Sequence, residues 1–224
     1  MMNLQKIVVI GAGGFAREVV DVFDAINTIR PTYNVIGYVV DPQYGTPGDQ
    51  INDKPIIGGL DWLAEHINEV QAICGIGEPE QRNRVINRLQ GKGVGFCSIM
   101  HPDSIYTRWI TIADGTIIAA GCILTNNIQI GNHVHINLDC TIGHDVIIED
   151  FVTLAPGVHV SGNVILREGC YIGTGANIIE KKEIGVWSVV GAGSTVTANV
   201  PSNTTVVGVP GKVIKTKPNG WHLK

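Results

Sequence analysis

The C-terminal half of the 224-residue chain shows a pattern of apolar positions with a period of six residues. From Ile112 to Val196, every sixth position is aliphatic through fifteen consecutive hexads, with no insertion. The position four residues later is mostly small or β-branched, and Lys182 is the departure from this series. This period differs from the about 3.6 residues of a helix and the about 2 of an alternating strand. It predicts that every hexad forms a short strand followed by a corner.

Three hexads close a triangular coil of eighteen residues, so the fifteen hexads predict five stacked coils. Successive coils pair as parallel strands, about 4.8 Å apart. The aliphatic residue of each hexad points into the prism, and Gly, Asn and Asp occupy corners where a positive φ is often required. Three cysteines fall on the inward small position and are expected to be buried, unreactive core residues: Cys122, Cys140 and Cys170.

The first 98 residues follow a different pattern, which predicts a Rossmann-like α/β domain with a parallel sheet. The remaining residues, 99–224, are assigned to the β-helix. The predicted elements of the N-terminal domain are a strand at Ile7–Ile10, a glycine turn at Gly11–Ala16, a helix to about Ile26, strands at Val35–Val40 and Ile73–Ile76, a helix from about Pro79, and a fourth strand at Phe96–Ile99. The segment Asp41–Asp53, rich in Pro, Gly and Asn, is predicted to be a surface loop.

The glycine turn is a candidate nucleotide site. It brings backbone N–H groups and a helix N-terminus to the carboxyl edge of the sheet, where phosphates bind favourably. Asp41 ends the second strand, where a carboxylate can reach a ribose hydroxyl. Ala16 replaces the last glycine of the dinucleotide fingerprint, and the domain is short for a full dinucleotide fold. The sequence therefore favours a mononucleotide moiety over NAD, and a turn that merely connects strand and helix is the alternative.

Composition and charge exclude several classes of function. A net charge of −4 gives no electrostatic reason to bind nucleic acid or an anionic membrane. No apolar run approaches the about 18 residues of a membrane span, and the N-terminus shows no signal-peptide cleavage site, so a cytoplasmic protein is expected. Five cysteines without a CxxC motif indicate neither a disulfide framework nor a zinc site, and no bound metal is expected.

His144 is the candidate catalytic residue. It takes the third place of its hexad, which puts it at a corner with its side chain outward, and the residue one coil later is Gly162. A missing side chain at that point predicts an open groove beside the imidazole, suited to a thin substrate such as a pantetheine arm. A neutral imidazole is suited to take a proton from an attacking amine or hydroxyl, and Asp145 would favour the imidazolium that forms.

Four motifs together resemble one known family: Gly11–Glu18, Gly75–Gly77, Thr141–Asp145 and Val207–Lys212. They are similar to the bacterial sugar acetyltransferases of the sialic-acid O-acetyltransferase-like group, over essentially the whole chain. One branch of that group N-acetylates nucleotide-linked 4-amino-4,6-dideoxy sugars. The resemblance implies a left-handed coil, an exception to the usual right-handed crossover. It also implies acetyl-CoA as co-substrate and a homotrimer with each active site between two subunits.

The resemblance further implies roles for individual residues. His144 would be the general base, supported by Asp145, and the sugar amine would attack the thioester directly. The residues expected to contact acetyl-CoA are Gly162, Gly173, Thr174, Ala192 and Thr153. The residues expected to contact the sugar nucleotide are Gly13, Gly14, Phe15, Asp41 and Gly77. Phe15 and Thr153 stand where some members have histidine, which leaves the acceptor open.

Three other functions compete with N-acetylation. O-acetylation of a sugar hydroxyl, sialic acid included, differs only in the acceptor. A β-helix scaffold without catalysis is the second alternative. A zinc site on such a scaffold would need three histidines that converge between subunits, and the register of His133, His135 and His159 does not place them together. An NAD-dependent oxidoreductase, suggested by the glycine turn, is disfavoured because no second domain of this chain offers a site for the hydride acceptor. Outward apolar positions in the hexads favour subunit contacts: Ile117, Ile123, Ile147, Ile165, Tyr171 and Val189.

Overall fold

The computed structural model describes residues 4–223, which form an N-terminal α/β domain followed by a parallel β-helix. The elements of the N-terminal domain are β1 (Gln5–Ile10), α1 (Gly14–Ile29), β2 (Tyr33–Val39), β3 (Gln50–Ile51), β4 (Lys54–Gly58), α2 (Leu60–Glu65), β5 (Gln71–Cys74) and α3 (Pro79–Leu89). Its sheet has the order β3-β4-β2-β1-β5, and only β3 pairs antiparallel to its neighbour. Strand β1 pairs on both sides, so its apolar run is buried, as in other parallel sheets.

Two expectations for the N-terminal domain are corrected. The segment Asp41–Asp53 is not only a loop, because it contains a short 3-10 turn at Pro42–Tyr44 and strand β3. Its antiparallel partner β4 carries Pro55, a residue that normally argues against a strand, and so the sequence did not reveal it. The fourth strand expected near Phe96 is only an isolated bridge to Ala72.

The β-helix has three faces. The front face is the one on which the N-terminal domain packs, and the other two are called the second and third faces in chain order. The front face comprises β6 (Ile99–Met100), β9 (Ile117–Ile118), β12 (His135–Ile136), β15 (Thr153–Leu154), β18 (Tyr171–Ile172), β21 (Val189–Val190), β23 (Thr204–Val207) and β24 (Lys212–Thr216). The second face comprises β7 (Ile105–Tyr106), β10 (Ile123–Leu124), β13 (Thr141–Ile142), β16 (His159–Val160), β19 (Asn177–Ile178) and β22 (Thr195–Val196). The third face comprises β8 (Ile110–Ile112), β11 (Ile128–Ile130), β14 (Ile147–Ile148), β17 (Ile165–Leu166) and β20 (Glu183–Ile184).

The predicted coil of eighteen residues is confirmed by the strand register, since His135 pairs with Thr153 and Thr153 pairs with Tyr171. The inward aliphatic series forms one continuous core along the prism. Ile112 is the exception, at 38% exposure. It lies on β8, the edge strand of the third face, where no earlier coil covers it. All five cysteines are buried and free, as expected for core residues.

The N-terminal domain packs on the front face of its own β-helix. Ile99 and Ile117 belong to the same buried cluster as helix α1 and strand β1. Ile117 is therefore covered by the N-terminal domain of its own chain, and not by another subunit as its outward position suggested. This packing gives the two parts of the chain a shared apolar core. Within residues 4–223, no helix is both long enough and apolar enough to cross a membrane.

Candidate active site

A cleft of about 850 Å³ opens in the N-terminal domain at the carboxyl ends of β1, β2 and β5. The five residues expected to contact the sugar nucleotide all line it: Gly13, Gly14, Phe15, Asp41 and Gly77. Helix α3 supplies part of the wall through Gln81, Arg84 and Arg88. The cleft therefore combines a glycine turn at a helix N-terminus with cationic side chains, an environment that suits an anionic ligand.

The glycine turn is shaped by close packing between helix α1 and the sheet. Helix α1 begins at Gly14, and Gly13 caps it without a side-chain hydrogen bond, so the cap does not occupy the first-turn amides. A Cβ on Gly75 would lie 2.6 Å from the Cα of Ala16. The close approach that the last glycine of the fingerprint normally allows is therefore provided by Gly75, directly after strand β5, and alanine is accommodated at position 16.

Asp41 has a partner that the sequence did not indicate. Arg88 donates two hydrogen bonds to its carboxylate, from Nη1 to Oδ2 at 2.7 Å and from Nη2 to Oδ1 at 2.9 Å. These hydrogen bonds hold the pKa of the Asp41 carboxyl below its usual value. Both oxygens are thus engaged with helix α3, whereas the sequence suggested a carboxylate directed at a ribose hydroxyl. Asp41 and Arg88 together tie the end of β2 to helix α3 beside the cleft.

His144 lies at the prism edge between the second and third faces, with 62% of its side chain exposed. Its Nδ1 is 2.8 Å from Oδ2 of Asp145. The other carboxylate oxygen accepts a hydrogen bond from Asn127, one coil earlier, at 3.1 Å. The hydrogen bond from His144, and to a smaller extent the one from Asn127, lowers the pKa of the Asp145 carboxyl group. Asp145 is therefore a carboxylate near neutral pH. The anion accepts the Nδ1–H of a neutral imidazole, which leaves the Nε2 lone pair free to act as a base.

Gly162 lies directly against this imidazole. A Cβ built on Gly162 would stand 2.6 Å from Nε2 and 2.7 Å from Cε1 of His144. The space that the sequence suggested as an open groove is therefore partly filled by the ring, which rests on the Gly162 backbone. Only glycine permits this placement, because any β-carbon would push the ring away. The lone pair of Nε2 is held beside the backbone of the next coil.

Gly173, Thr174 and Ala192 lie at a different prism edge, between the front and second faces. A Cβ on Gly173 would stand 2.6 Å from the backbone nitrogen of Ala192. Thr174 and Ala192 are exposed, and they stand eighteen residues apart along one corner. The width of the second face separates this corner from His144. One chain therefore brings His144, Asp145 and Gly162 together at one prism edge, whereas Gly173, Thr174 and Ala192 lie at another.

Thr153 does not lie with the other predicted acetyl-CoA contacts. It is buried on the front face, beneath the N-terminal domain. Its Oγ1 donates a hydrogen bond to the carbonyl oxygen of Gly77 at 3.0 Å and accepts one from Nη2 of Arg82 at 2.9 Å. In one chain, helix α3 covers the strand that carries Thr153, and its contact with acetyl-CoA stays a prediction. Thr153 instead links the cleft to the β-helix.

Arg82 is the residue that sequence reasoning missed. It lies on helix α3 and is fully buried against the front face. It donates a hydrogen bond from Nη1 to Nδ1 of His135 at 2.9 Å. A guanidinium only donates, so Nδ1 of His135 must be an acceptor and the ring proton lies on Nε2. The ring of His135 also contacts Phe15, with centroids 4.8 Å apart. A polar arginine on an amphipathic helix gives no periodic signal of such burial.

The other histidines of the β-helix have packing partners instead of shared ligands. His133 lies between the rings of Phe96 and Phe151 at the domain junction, and burial, followed by Arg82, lowers its pKa to about 4. His159 is exposed, with its Nδ1 2.8 Å from the hydroxyl of Thr141. No group of three or more His, Cys, Asp or Glu side chains in residues 4–223 is arranged to hold a metal ion.

The cleft and His144 face opposite directions in one chain. The N-terminal domain covers the front face, where Phe15 and Arg82 contact His135. His144 projects from the edge between the two remaining faces, and in a triangular prism that edge is opposite the front face. A ligand held in the cleft is consequently separated from His144 of the same chain by the width of the prism.

The hexapeptide-repeat β-helix is a fold that many acyltransferases share, and the chain is an acyltransferase. A family model described as the PglD N-terminal domain matches residues 6–89. The chain is 29% identical over 223 residues to GDP-perosamine N-acetyltransferase of Escherichia coli O157:H7, covering 97% of this chain and 99% of that protein. The resemblance to sugar acetyltransferases is thereby confirmed over the whole length.

Solved structures agree with this assignment. The acetyltransferase domain of PglB from Neisseria gonorrhoeae, in complex with acetyl coenzyme A, is 27% identical, with a TM-score of 0.86 that covers 95% of this chain and 100% of that one. PerB from Caulobacter crescentus, in complex with CoA and GDP-perosamine, is 24% identical, with a TM-score of 0.85 over 94% of this chain and 97% of that one. The predicted fold, an α/β domain joined to a left-handed parallel β-helix, is confirmed.

Proposed function

We propose that the protein transfers the acetyl group of acetyl-CoA to the amino group of a nucleotide-linked 4-amino-4,6-dideoxy sugar. The observation that carries the proposal is the placement of the His144 imidazole, fixed by Asp145 on one side and by Gly162 on the other. The cleft with its glycine turn supports a nucleotide handle on the acceptor. A full-length relative with the name GDP-perosamine N-acetyltransferase supports an amino sugar as that acceptor.

The proposed chemistry is direct acyl transfer with His144 as general base. The amine nitrogen attacks the thioester carbonyl and forms the new C–N bond, while Nε2 of His144 takes a proton from the nitrogen. The tetrahedral intermediate collapses with cleavage of the C–S bond, and the departing thiolate recovers the proton from His144 to leave as CoA. Asp145 stabilises the transient imidazolium through Nδ1. A backbone N–H of Gly162 beside the ring is placed to face the carbonyl oxygen as negative charge develops there.

We assign residues 1–98 to acceptor binding and residues 99–224 to acetyl-CoA binding and catalysis. The corner of Gly173, Thr174 and Ala192 suits the acetyl-CoA arm, because closely packed glycine backbone and small side chains leave an unobstructed surface along the prism edge. This corner and the His144 edge border the same second face. A pantetheine arm that reaches His144 from this corner needs a second wall, which a neighbouring subunit would supply.

The opposite orientation of cleft and base supports a homotrimer as the active form. A sugar nucleotide in the cleft of one chain cannot reach His144 across its own prism, so the base has to come from a neighbour. Cyclic symmetry gives every cleft a neighbouring His144 through one repeated interface. Outward apolar side chains on the first coils of the second face offer surface for that contact, including Ile105 at 64% and Ile123 at 39% exposure.

Co-expression of two inactive chains tests this arrangement. Gly13→Asp places a carboxylate in the cleft, where it repels phosphate. The change preserves the fold, since aspartate is a preferred N-cap residue and a Cβ at Gly13 meets nothing within 4 Å. When differently tagged Gly13→Asp and His144→Ala chains assemble together, about one site in four combines an intact cleft with an intact base from a neighbour. Activity of purified mixed oligomers above either parent supports the shared site, and no recovery in such oligomers contradicts it.

Free-thiol release from acetyl-CoA tests the reaction. The acceptors are UDP-, dTDP- and GDP-linked 4-amino sugars, with CMP-sialic acid and free sialic acid as comparison. We expect turnover on one nucleotide-linked amino sugar and a product that carries an amide-linked acetyl group by mass spectrometry. Activity restricted to the sialic acids would move the enzyme to O-acetylation, and silence on every acceptor would contradict the proposed donor and acceptor together.

A further inference from the structure

Arg82 makes six hydrogen bonds from the Nη1 and Nη2 groups of its fully buried guanidinium, so their four N–H hydrogens are partly shared between acceptors. Their lengths are between 2.8 and 3.3 Å, and the acceptors are the carbonyl oxygens of Ile76, Gly77, Phe151 and Val152, Nδ1 of His135 and Oγ1 of Thr153. Two acceptors belong to the cleft wall and four to the β-helix. Arg82 therefore joins the wall of the cleft to the front face.

The charge of Arg82 has no counter-ion in contact with it, and the carboxylates of Glu78 and Glu80 act on it only from a distance. Among the residues that the structure describes, no carboxylate lies within ion-pair distance of the guanidinium, and every acceptor is neutral. Burial lowers the pKa of Arg82 to about 10, which still leaves the group charged near neutral pH. An unpaired buried cation is costly to maintain, so a functional role is the natural explanation. The nearest open space is the cleft, which is lined by Ile76 and Gly77.

The two carbonyl contacts on the cleft wall orient its amides. In a trans peptide the C=O and the following N–H point in opposite directions. Because Arg82 holds the carbonyls of Ile76 and Gly77 on the buried side, the N–H groups of Gly77 and Glu78 are turned to the other side, which is the cleft. Thr153 supports the same wall by donating to the Gly77 carbonyl.

We propose that Arg82 is a positioning residue for the acceptor: it turns the Gly77–Glu78 amides toward the cleft and supplies the positive potential that the diphosphate of the sugar nucleotide neutralises. This inference rests on the proposed function, because it requires a nucleotide-linked substrate. It assigns to the β-helix a share in acceptor binding, since four of the six acceptors that hold Arg82 come from the front face. The diphosphate thus adds negative charge to a wall whose buried cation has no ion-pair partner among residues 4–223.

Isothermal titration calorimetry with GDP, UDP and dTDP, the matching nucleosides and CoA tests the inference on the full-length protein. The wild type is expected to bind at least one nucleoside diphosphate. Arg82→Gln is expected to weaken that binding by roughly tenfold or more, while its nucleoside and CoA affinities stay within about threefold of the wild type. Arg82→Lys keeps the positive charge but not the planar, multiple-donor geometry of the guanidinium. Its diphosphate affinity is expected to lie between those of Arg82→Gln and the wild type.

The outcomes separate this inference from the proposed function. If the wild type binds none of the three diphosphates, the nucleotide handle fails, and the role of Arg82 fails with it. If the wild type binds one but Arg82→Gln binds it equally well, or loses nucleoside and diphosphate affinity alike, only the Arg82 inference is overturned. If the Arg82→Gln protein does not fold, the Thr153→Val variant provides the test. It keeps the side-chain shape and removes one support of Gly77, so diphosphate affinity falls about threefold or more, and unchanged affinity overturns the inference.

Discussion

Replacement of His144 with alanine is expected to lower kcat by roughly 10²–10⁴-fold, the usual contribution of a general base. The imidazole is the group at the prism edge with a free ring nitrogen and a fixed tautomer, since Asp145 accepts from Nδ1. Acetyl-CoA binding should be largely retained, because Gly173, Thr174 and Ala192 lie at another corner. Steady-state thiol release gives kcat, and calorimetry with CoA gives the binding constant.

Two variants frame the His144 result. Asp145→Asn keeps the size of the side chain and removes its charge, so it should cost about tenfold, less than loss of the base itself. His66→Ala removes a histidine that does not line the cleft and whose ring stacks on Trp62, and should leave kcat unchanged. Wild-type turnover by His144→Ala would exclude the proposed base.

Gly162→Ala is expected to lower kcat by about 10²-fold, although it adds only one methyl group. The added carbon would stand 2.6 Å from Nε2 of His144, closer than real β-carbons approach other atoms, and the backbone of Gly162 cannot retreat because its coil is locked between neighbours. The imidazole has to move instead, and a displacement of about 1 Å in a reacting group costs this much. The melting temperature should change little, because His144 is exposed and has space to swing outward.

Gly95→Ala is the matched control for Gly162→Ala. Gly95 has no positive φ, and a Cβ there meets the Gln71 side chain at an ordinary 3.7 Å. Its activity and melting temperature should match the wild type. A Gly162→Ala enzyme with normal kcat would show that the ring position seen here is not the catalytic one. A crystal structure of that variant should show the imidazole rotated away from the next coil.

The β-helix could be predicted almost completely from the sequence. The hexad pattern is local and repeats without insertion, so strand, corner and inward position follow from residue number alone. The same arithmetic predicts that Gly162 lies one coil after His144, beside its side chain. The cleft was also indicated, because a strand followed by glycines and a helix specifies a short local unit. The positions of residues in the β-helix follow from the strand register, because each coil repeats the geometry of the one before it.

The sequence did not predict strand β4 or the long-range contacts that helix α3 makes. Strand β4 was missed because Pro55 interrupts its pattern, and nothing local in the sequence reveals that helix α3 covers Thr153. The partner of Asp41 lies 47 residues away in sequence, and the link from Arg82 to Thr153 spans 71. Contacts at such separations depend on how one element docks on another.

The sequence by itself thus determined the repeat, the two-part organisation and the corner histidine with its carboxylate, because each depends on neighbours at a fixed spacing along the chain. Only the tertiary structure decided that Arg82 is buried without a counter-ion in contact with it, that Asp41 is held by Arg88, and that the cleft faces away from His144. The physical reason is that docking of the N-terminal domain on the front face is driven by non-directional apolar burial around Ile117. Polar partners are selected only after that packing has set their distances.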